Sequence, residues 1–409
     1  VRNRFAAHAT RTEPIRVDFT LPESALAVQR GVADICSRYD LGYWQRCESD
    51  KRWPEEVWAE LAKGGWLGLA VPEEYGGGGQ GLLELAVATE TLSASGAAGG
   101  SAFTYVLTPG FGAMTLARHG SARQREELLP RLATGEIETC FALTEPDAGS
   151  NALGISTSAR RDGDEFVVNG QKIWITGVQR AAWMLLVTRT VPAAEARPRS
   201  HGLTVLLVNV PEAVAAGRLS YRPIPKMGAN TTPSNTVFID DLRVPAANVV
   251  GEADQGARVL WDILNPERIL LAASALGGAE VALRAAVQYA KEREVFGRPI
   301  GANQAVAFPL AQVKAKIELA RLMLYKAAWL FDERRPCGTE ANIAKLTASQ
   351  AAWEAADHAF QTHGGMAYSL EYPVARLLAD ARIGRVAPVT EELLLNHLAT
   401  QVLGLPRSF

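Results

Sequence analysis

The sequence predicts an α+β multidomain fold, and three observations carry that prediction. Apolar positions recur at helical spacing from about Leu21 to Leu132, drop towards a period of two between about Glu138 and Val250, and return to long helical patterns from about Gly256. Strands are thus grouped in the middle of the chain instead of alternating with helices, which argues against a doubly wound parallel sheet. The third observation is bulk: 409 residues, 48% hydrophobic and 21% charged, suffice for two or three domains with real cores. That composition argues against a disordered or low-complexity chain.

The first helical region opens after a basic leader. Arg2, Arg4, Arg11 and Arg16 precede or flank a single acid, Glu13, a weak likeness to a transit peptide. It has no apolar signal core, so a plain leader and a cytoplasmic protein are expected. Trp53-Pro54-Glu55-Glu56 starts a helix through Leu61, with proline near its first turn. Leu82 starts another. The uncharged run from Thr91 to Ala117 contains Gly96, Gly99, Gly100, Pro109, Gly110 and Gly112. It reads as two packed helix pieces broken near Thr108-Pro109-Gly110, not as a membrane span. Gly76 to Gly81 formally satisfies GxGxxG, but Ala70-Val71-Pro72 is too short and proline-broken to be the strand that motif needs. A glycine-rich interhelical turn is expected there.

In the middle region, Glu165 to Val168 and Lys172 to Thr176 flank Asn169-Gly170, the pattern of a β-hairpin with a two-residue turn. Trp183 to Val187 and Leu203 to Val208 are further strands, and Asp240-Asp241 reads as a turn. The last region shows helical patterns over Pro266–Arg293, Gln304–Arg334, Glu340–Thr362 and Thr390–Leu403.

Partner classes are bounded by charge and cysteine usage. Lys and Arg number 42 against 44 Asp and Glu, a net charge of −2, so no basic face for nucleic acid is implied. Cys36, Cys47, Cys140 and Cys337 are scattered without a CxxC pair, fitting a reducing compartment and neither a disulfide framework nor a zinc site. No metal-ligand spacing stands out. His119, His358, His363 and His397 read as satisfied or surface histidines.

Several segments could carry chemistry. Cys140 to Ser150 runs an apolar strand into a Pro/Gly turn, either a plain surface turn or a set of N–H groups and hydroxyls suited to a polar heterocycle. Trp174 and Thr176 fall on one face of a strand, as core residues or as the lining for a flat ring. Arg293-Glu294-Val295-Phe296-Gly297-Arg298 closes a long helix ahead of Gln304. Its cations suit a helix C-terminus, or a clamp on phosphate.

Taken in this order, the segments resemble the acyl-CoA dehydrogenase family. Pro72-Glu73-Glu74-Tyr75-Gly76-Gly77, Lys226-Met227-Gly228 with Thr232-Pro233-Ser234, and Gln361-Thr362-His363-Gly364-Gly365 match as well, so the likeness runs from about Phe19 to Phe409. The resemblance implies a helical domain over 1–137, a middle antiparallel, β-barrel-like domain over 138–252 and a C-terminal four-helix bundle over 253–409. It implies FAD as cofactor, a homo-oligomer (a tetramer, sometimes a dimer), an acyl-CoA substrate and an electron-transfer flavoprotein as partner, in fatty-acid β-oxidation. Phe141, Leu143, Thr144, Trp174, Thr176 and Thr390 match positions at the flavin. Arg293, Phe296, Gln304, Gln361 and Gly365 match positions gripping the FAD of a neighbouring subunit. Ser150 and Arg268 match substrate positions, and Val295 stands where the family often has threonine.

The implied reaction removes an α-proton to a carboxylate and the β-hydride to flavin N5. Many members carry that carboxylate in a Tyr-Glu-Gly-Thr motif, but here, aligned on Thr390, its place is taken by Pro388. Isovaleryl-CoA and long-chain members carry it instead on a helix directly before an arginine. Asn265-Pro266-Glu267-Arg268 matches that location, so Glu267 is the expected base, with Glu391 and Glu392 as alternatives. Taken by itself, Glu267 also reads as a first-turn acid of its helix. Pro388 also lacks the backbone N–H that, in the family, helps hold the thioester oxygen. The N–H of Val389, a different acyl position, or a different flavin reaction (an oxidase or monooxygenase) would each answer that loss. A lapsed acyl-CoA-binding relative is the non-enzymatic reading.

Overall fold

The computed structural model describes residues 19–407, so the arginine-rich leader lies outside the described residues. The N-terminal region consists of α1 (Glu23–Cys36), α2 (Leu41–Ser49), α3 (Glu55–Lys63), α4 (Leu82–Leu92), α5 (Ala98–Tyr105), α6 (Met114–His119) and α7 (Ala122–Ala133). α3 starts directly after Pro54 as its sequence suggests, and buries Val57, Trp58 and Leu61. The glycine run 76–81 is the turn leading into α4. Gly81 has no side chain to cap that helix. Instead the Asp332 carboxylate accepts from the Leu82 and Leu83 N–H groups at 2.7 and 2.9 Å, tying the two helical regions together.

The uncharged run differs from expectation. It forms three helical pieces, with π-turns at Ser93–Ala97 and Val106–Ala113. The sharp break is at Gly96 (φ 116°) and Ala98 (φ 46°), positive-φ positions that end a helix. Pro109 sits inside the second π-turn and only widens it.

The middle region comprises β1 (Glu138–Ala142), β2 (Ser158–Asp162), β3 (Glu165–Thr176), β4 (Ala181–Arg189), β5 (Leu203–Asn209), α8 (Val210–Ala215), β6 (Leu219–Pro223), β7 (Ser234–Pro245) and β8 (Val249–Val250). The sheet runs β6-β7-β3-β2-β4-β5-β8, with β1 beside β4. Its long pairings are antiparallel, except that β1 and the first residue of β2 run parallel to β4.

Two local expectations fail. Asn169-Gly170 is no hairpin turn: β3 runs through it, and the β2–β3 reversal falls at Gly163, which has φ 59°. Asp240-Asp241 lies within β7, not in a turn. Both differences share one cause. Asn169 faces a bulge in β7 at Asp240-Asp241, where the Asn169 side chain donates to Asp241 Oδ1 at 2.9 Å and accepts from the Asp241 N–H at 2.8 Å. The bulge takes up the extra residue in β7 and uses the residues that a turn would have used.

The C-terminal region holds α9 (Gly256–Glu292), α10 (Gln304–Asp332), α11 (Gly338–His363), α12 (Val374–Val386) and α13 (Glu391–His397). α9 begins well before Pro266 and passes through it unbroken, because Val259, Leu260, Ile263, Ile269 and Leu270 are buried on both sides of the proline. α9 is long and apolar enough to cross a membrane, yet 67% of its most apolar window is buried in the protein, as in a core helix. α11 presents Ala341, Ala344, Ala348, Ala351, Ala352, Ala355 and Ala359 inward, so it packs closely on α9. The sequence gives no signal for α12. Its buried side includes the ion pair Arg376–Asp380 among Val374 and Leu377, which masks the apolar period. Thr390 is the N-cap of α13, accepting from the Leu393 N–H.

Candidate active site

One half of the site is a shelf at the ends of β1 and β3. The Ile173 N–H donates to the Thr144 carbonyl, and the buried Lys172 ammonium donates to the Leu143 carbonyl, both at 2.9 Å. Glu145 anchors this shelf. Its carboxylate accepts from Ser156 N–H (2.6 Å), Ser156 Oγ (2.8 Å), Thr157 N–H (2.9 Å) and Lys172 Nζ (2.8 Å). Burial pushes the Glu145 carboxyl up, but the Lys172 ammonium and these hydrogen bonds overcome it and hold the carboxyl at about 2. The sequence flags neither partner, because Glu145 and Lys172 sit on two separate elements and their spacing carries no local signal.

On this shelf Phe141 packs edge-on against Phe111, with ring centroids 5.6 Å apart. Trp174 has φ 63° at an irregularity in the β3–β7 register, and 54% of it stays exposed. A positive φ at a bulky residue is costly, and here it lifts the indole out of the sheet. Thr176 Oγ1 lies 3.0 Å from Ser234 Oγ, and Ser150 is exposed at the turn after Thr144.

A second group gathers at one end of the helical bundle. Arg293 follows the last turn of α9, Phe296 stands fully exposed at the tip of a two-residue β-ribbon, and Gln304 opens α10. Tyr289, one turn before Arg293, stacks on His363 at 4.2 Å. His363 lies between Gln361 and Gly365, so these five positions share one exposed corner. His363 itself is buried and its Nδ1 meets the Ala359 carbonyl at 2.7 Å, a satisfied core histidine. The two groups suit the two ends of a large dinucleotide: an exposed indole with hydroxyls on the shelf, an exposed cation with amides on the corner.

Glu267 lies well inside α9, not in its first turn, and is 9% exposed. It makes no side-chain hydrogen bond among the described residues. Burial pushes its carboxyl up to about 7, against the pull of the Arg268 and Lys345 cations. Arg268 turns back along its own helix, with Nη1 3.1 Å from Asn265 Oδ1, and its Nε has no partner among the described residues. The alternatives differ. Glu391 is held by Arg385 at 2.6 Å, and Glu392 is exposed at the start of α13. A buried carboxyl that titrates near neutrality and is not tied up by donors is suited to removing a proton from carbon. Among the described residues no three His, Cys, Asp or Glu side chains gather as metal ligands, and all four cysteines are free and buried.

Comparison with known proteins identifies the family. Three family models match in chain order: acyl-CoA dehydrogenase N-terminal domain over residues 22–136, middle domain over 140–242, and C-terminal domain over 254–403. The chain belongs to the acyl-CoA dehydrogenase family and is an oxidoreductase. It is 40% identical over 393 residues to acyl-CoA dehydrogenase FadE12 of Mycobacterium tuberculosis, covering 96% of this chain and 99% of that one. Among solved structures it resembles butyryl-CoA dehydrogenase from Megasphaera elsdenii, with TM-score 0.88, 32% identity, and coverage of 95% and 100%. It also resembles PigA in complex with FAD, with TM-score 0.88, 26% identity, and the same coverage.

Proposed function

We propose that this chain catalyses the α,β-dehydrogenation of an acyl-CoA thioester to the trans-2-enoyl-CoA, with Glu267 as the base. The observation that carries this is the state of Glu267: buried, free of donors and poised at about 7. An ordinary glutamate at 4.5 is too weak a base for a carbon acid. The cofactor is FAD, which supplies the hydride acceptor when bound. Phe141, Leu143, Thr144, Trp174, Thr176 and Thr390 would hold its ring system. Arg293, Phe296, Gln304, Gln361 and Gly365 would hold the FAD of a second copy. Exposed apolar side chains on the helical bundle, including Phe308, Leu319, Leu322 and Trp329, support a homo-oligomer, read here as a tetramer. The domains are read as 1–137, 138–252 and 253–409.

Glu267 takes the α-proton, Ser150 lies near the thioester end and Arg268 on the CoA side, and one further donor must stabilise the developing enolate oxygen. Pro388 cannot supply it. The Val389 N–H donates to nothing among the described residues, and it is the donor this reading assigns. Electrons then pass to an electron-transfer flavoprotein, within fatty-acid β-oxidation in the cytoplasm, where the free thiols stay reduced.

The test is an anaerobic titration of the purified protein with a panel of acyl-CoAs, following oxidised-flavin absorbance. Bleaching by one class of thioester supports the dehydrogenase reading. A spectral shift without bleaching would favour a lapsed binding protein. Rapid oxygen consumption with poor coupling to electron-transfer flavoprotein would favour an oxidase.

A further inference from the structure

A lysine is buried on the inner face of α11, outside the residues already assigned. Lys345 is 1% exposed, among Ala341, Ala344 and Ala348 of the same helix. Its ammonium donates to the Gly384 carbonyl and, at 3.0 Å, to the Val389 carbonyl. Those two carbonyls bracket the turn between α12 and α13, which carries Pro388 and the free Val389 N–H. On its other sides it faces Glu267 and Arg268 of α9 and Glu391 of α13. Glu391 gives one oxygen to Arg385, whereas Glu267 makes no side-chain hydrogen bond among the described residues, so both carboxyls oppose the Lys345 charge and Glu267 is the one without a donor of its own.

Resting on the reading of Glu267 as base, we propose that Lys345 is a positioning residue: its two hydrogen bonds fix the 384–389 turn over the thioester, and its buried ammonium holds a positive charge on the side of Glu267. The geometry explains why a full charge is tolerated there. A buried ammonium is costly unless it is hydrogen-bonded and opposed by negative charge, and this one has two carbonyls and two carboxyls. Burial still drags it down to about 8, so it is charged at neutral pH, and Glu267 then sits beside two cations, Lys345 and Arg268. Without them, burial alone would drive Glu267 further up and leave it protonated when substrate arrives. Lys345 thus counters burial just enough to keep a basic carboxyl available. Fixing the turn and holding the base are one task, because the proton acceptor and the enolate donor must face the same carbon–carbonyl unit.

Two variants in the FAD-loaded enzyme separate charge from contact. Lys345→Met removes both; Lys345→Gln removes charge but can still donate to a carbonyl. The titration of Glu267 is read directly by difference infrared spectroscopy of its carboxyl band, assigned by its loss in Glu267→Gln. The expected result is a band titrating near pH 7 in the parent and about one pH unit or more higher in both variants. Flavin reduction by octanoyl-CoA or isovaleryl-CoA would then be roughly fivefold slower at about pH 7 and recover at about pH 9. Amide exchange at Ala387 and Leu394, whose N–H groups donate to the Ile383 and Thr390 carbonyls on either side of the turn, should rise in Lys345→Met and less in Lys345→Gln. A band at unchanged pH in both variants overturns the proposal, as does a parent band that titrates in the ordinary carboxylate range. A fall in melting temperature with no shift of the band assigns Lys345 a merely structural role and equally overturns it. The two readings fail separately: flavin reduction at the parental rate in Glu267→Gln would remove the base, while the infrared band still decides the coupling.

Discussion

Two buried glutamates divide the labour in this molecule. Glu145, on the β shelf, and Glu267, in α9, are removed from water to a similar degree. Glu145 receives four hydrogen bonds, one from an ammonium, and is held at about 2. Glu267 receives none among the described residues and rises to about 7. Burial by itself therefore does not make a base. Donors turn a buried carboxylate into a permanent structural anion, and their absence leaves it with a strong affinity for protons.

The contrast is tested most severely at its reactive end. Glu267→Gln should lower the rate of flavin reduction by roughly 10²- to 10⁴-fold while FAD and acyl-CoA still bind, as measured by anaerobic stopped flow. A variant that reduces flavin at a near-parental rate would move the role to another residue. At the structural end, Glu145→Gln leaves Lys172 buried beside a neutral amide. A loss of about 3–5 kcal/mol in the first urea unfolding transition is expected, with loss of FAD content.

The two sites should also answer pH in opposite senses. Glu267 has a folded value of about 7 against an ordinary 4.5, so the native state binds the extra proton between those values. Its contribution is present below about 4.5 and is lost as pH rises to about 7, roughly 3 kcal/mol in all. Glu145 is shifted the other way, so its contribution is present above 4.5 and is lost as pH falls through about 2. Urea midpoints between about pH 4 and pH 8 should therefore vary less in Glu267→Gln than in the parent. The smallest effect is expected at the neighbouring alternative: Glu392→Gln, exposed at the start of α13, should leave flavin reduction within about twofold of the parent.

Much of this was legible in the chain. The order helix, strand, helix follows from the spacing of apolar residues, which reports local periodicity directly. Glu267 could be nominated through the family resemblance, which implies a carboxylate directly before an arginine and meets Pro388 at the other location. Lys345 left a fainter trace. It is a charged residue on the alanine stripe at 341, 344, 348, 351 and 355, and such a break in an apolar stripe is visible in the residues themselves.

Local properties dictate the class of each region and the residue types offered for chemistry, since periodicity and proline's missing N–H need no distant partner. Folding in three dimensions settled the rest. It ran β3 through Asn169-Gly170, since the β7 bulge at Asp241 that Asn169 bonds lies 72 positions away. It hid α12 behind a buried Arg376–Asp380 pair that interrupts the apolar period. It also gave two glutamates of one ordinary proton affinity opposite characters, because desolvation and donors come from residues distant in sequence and brought near only by folding.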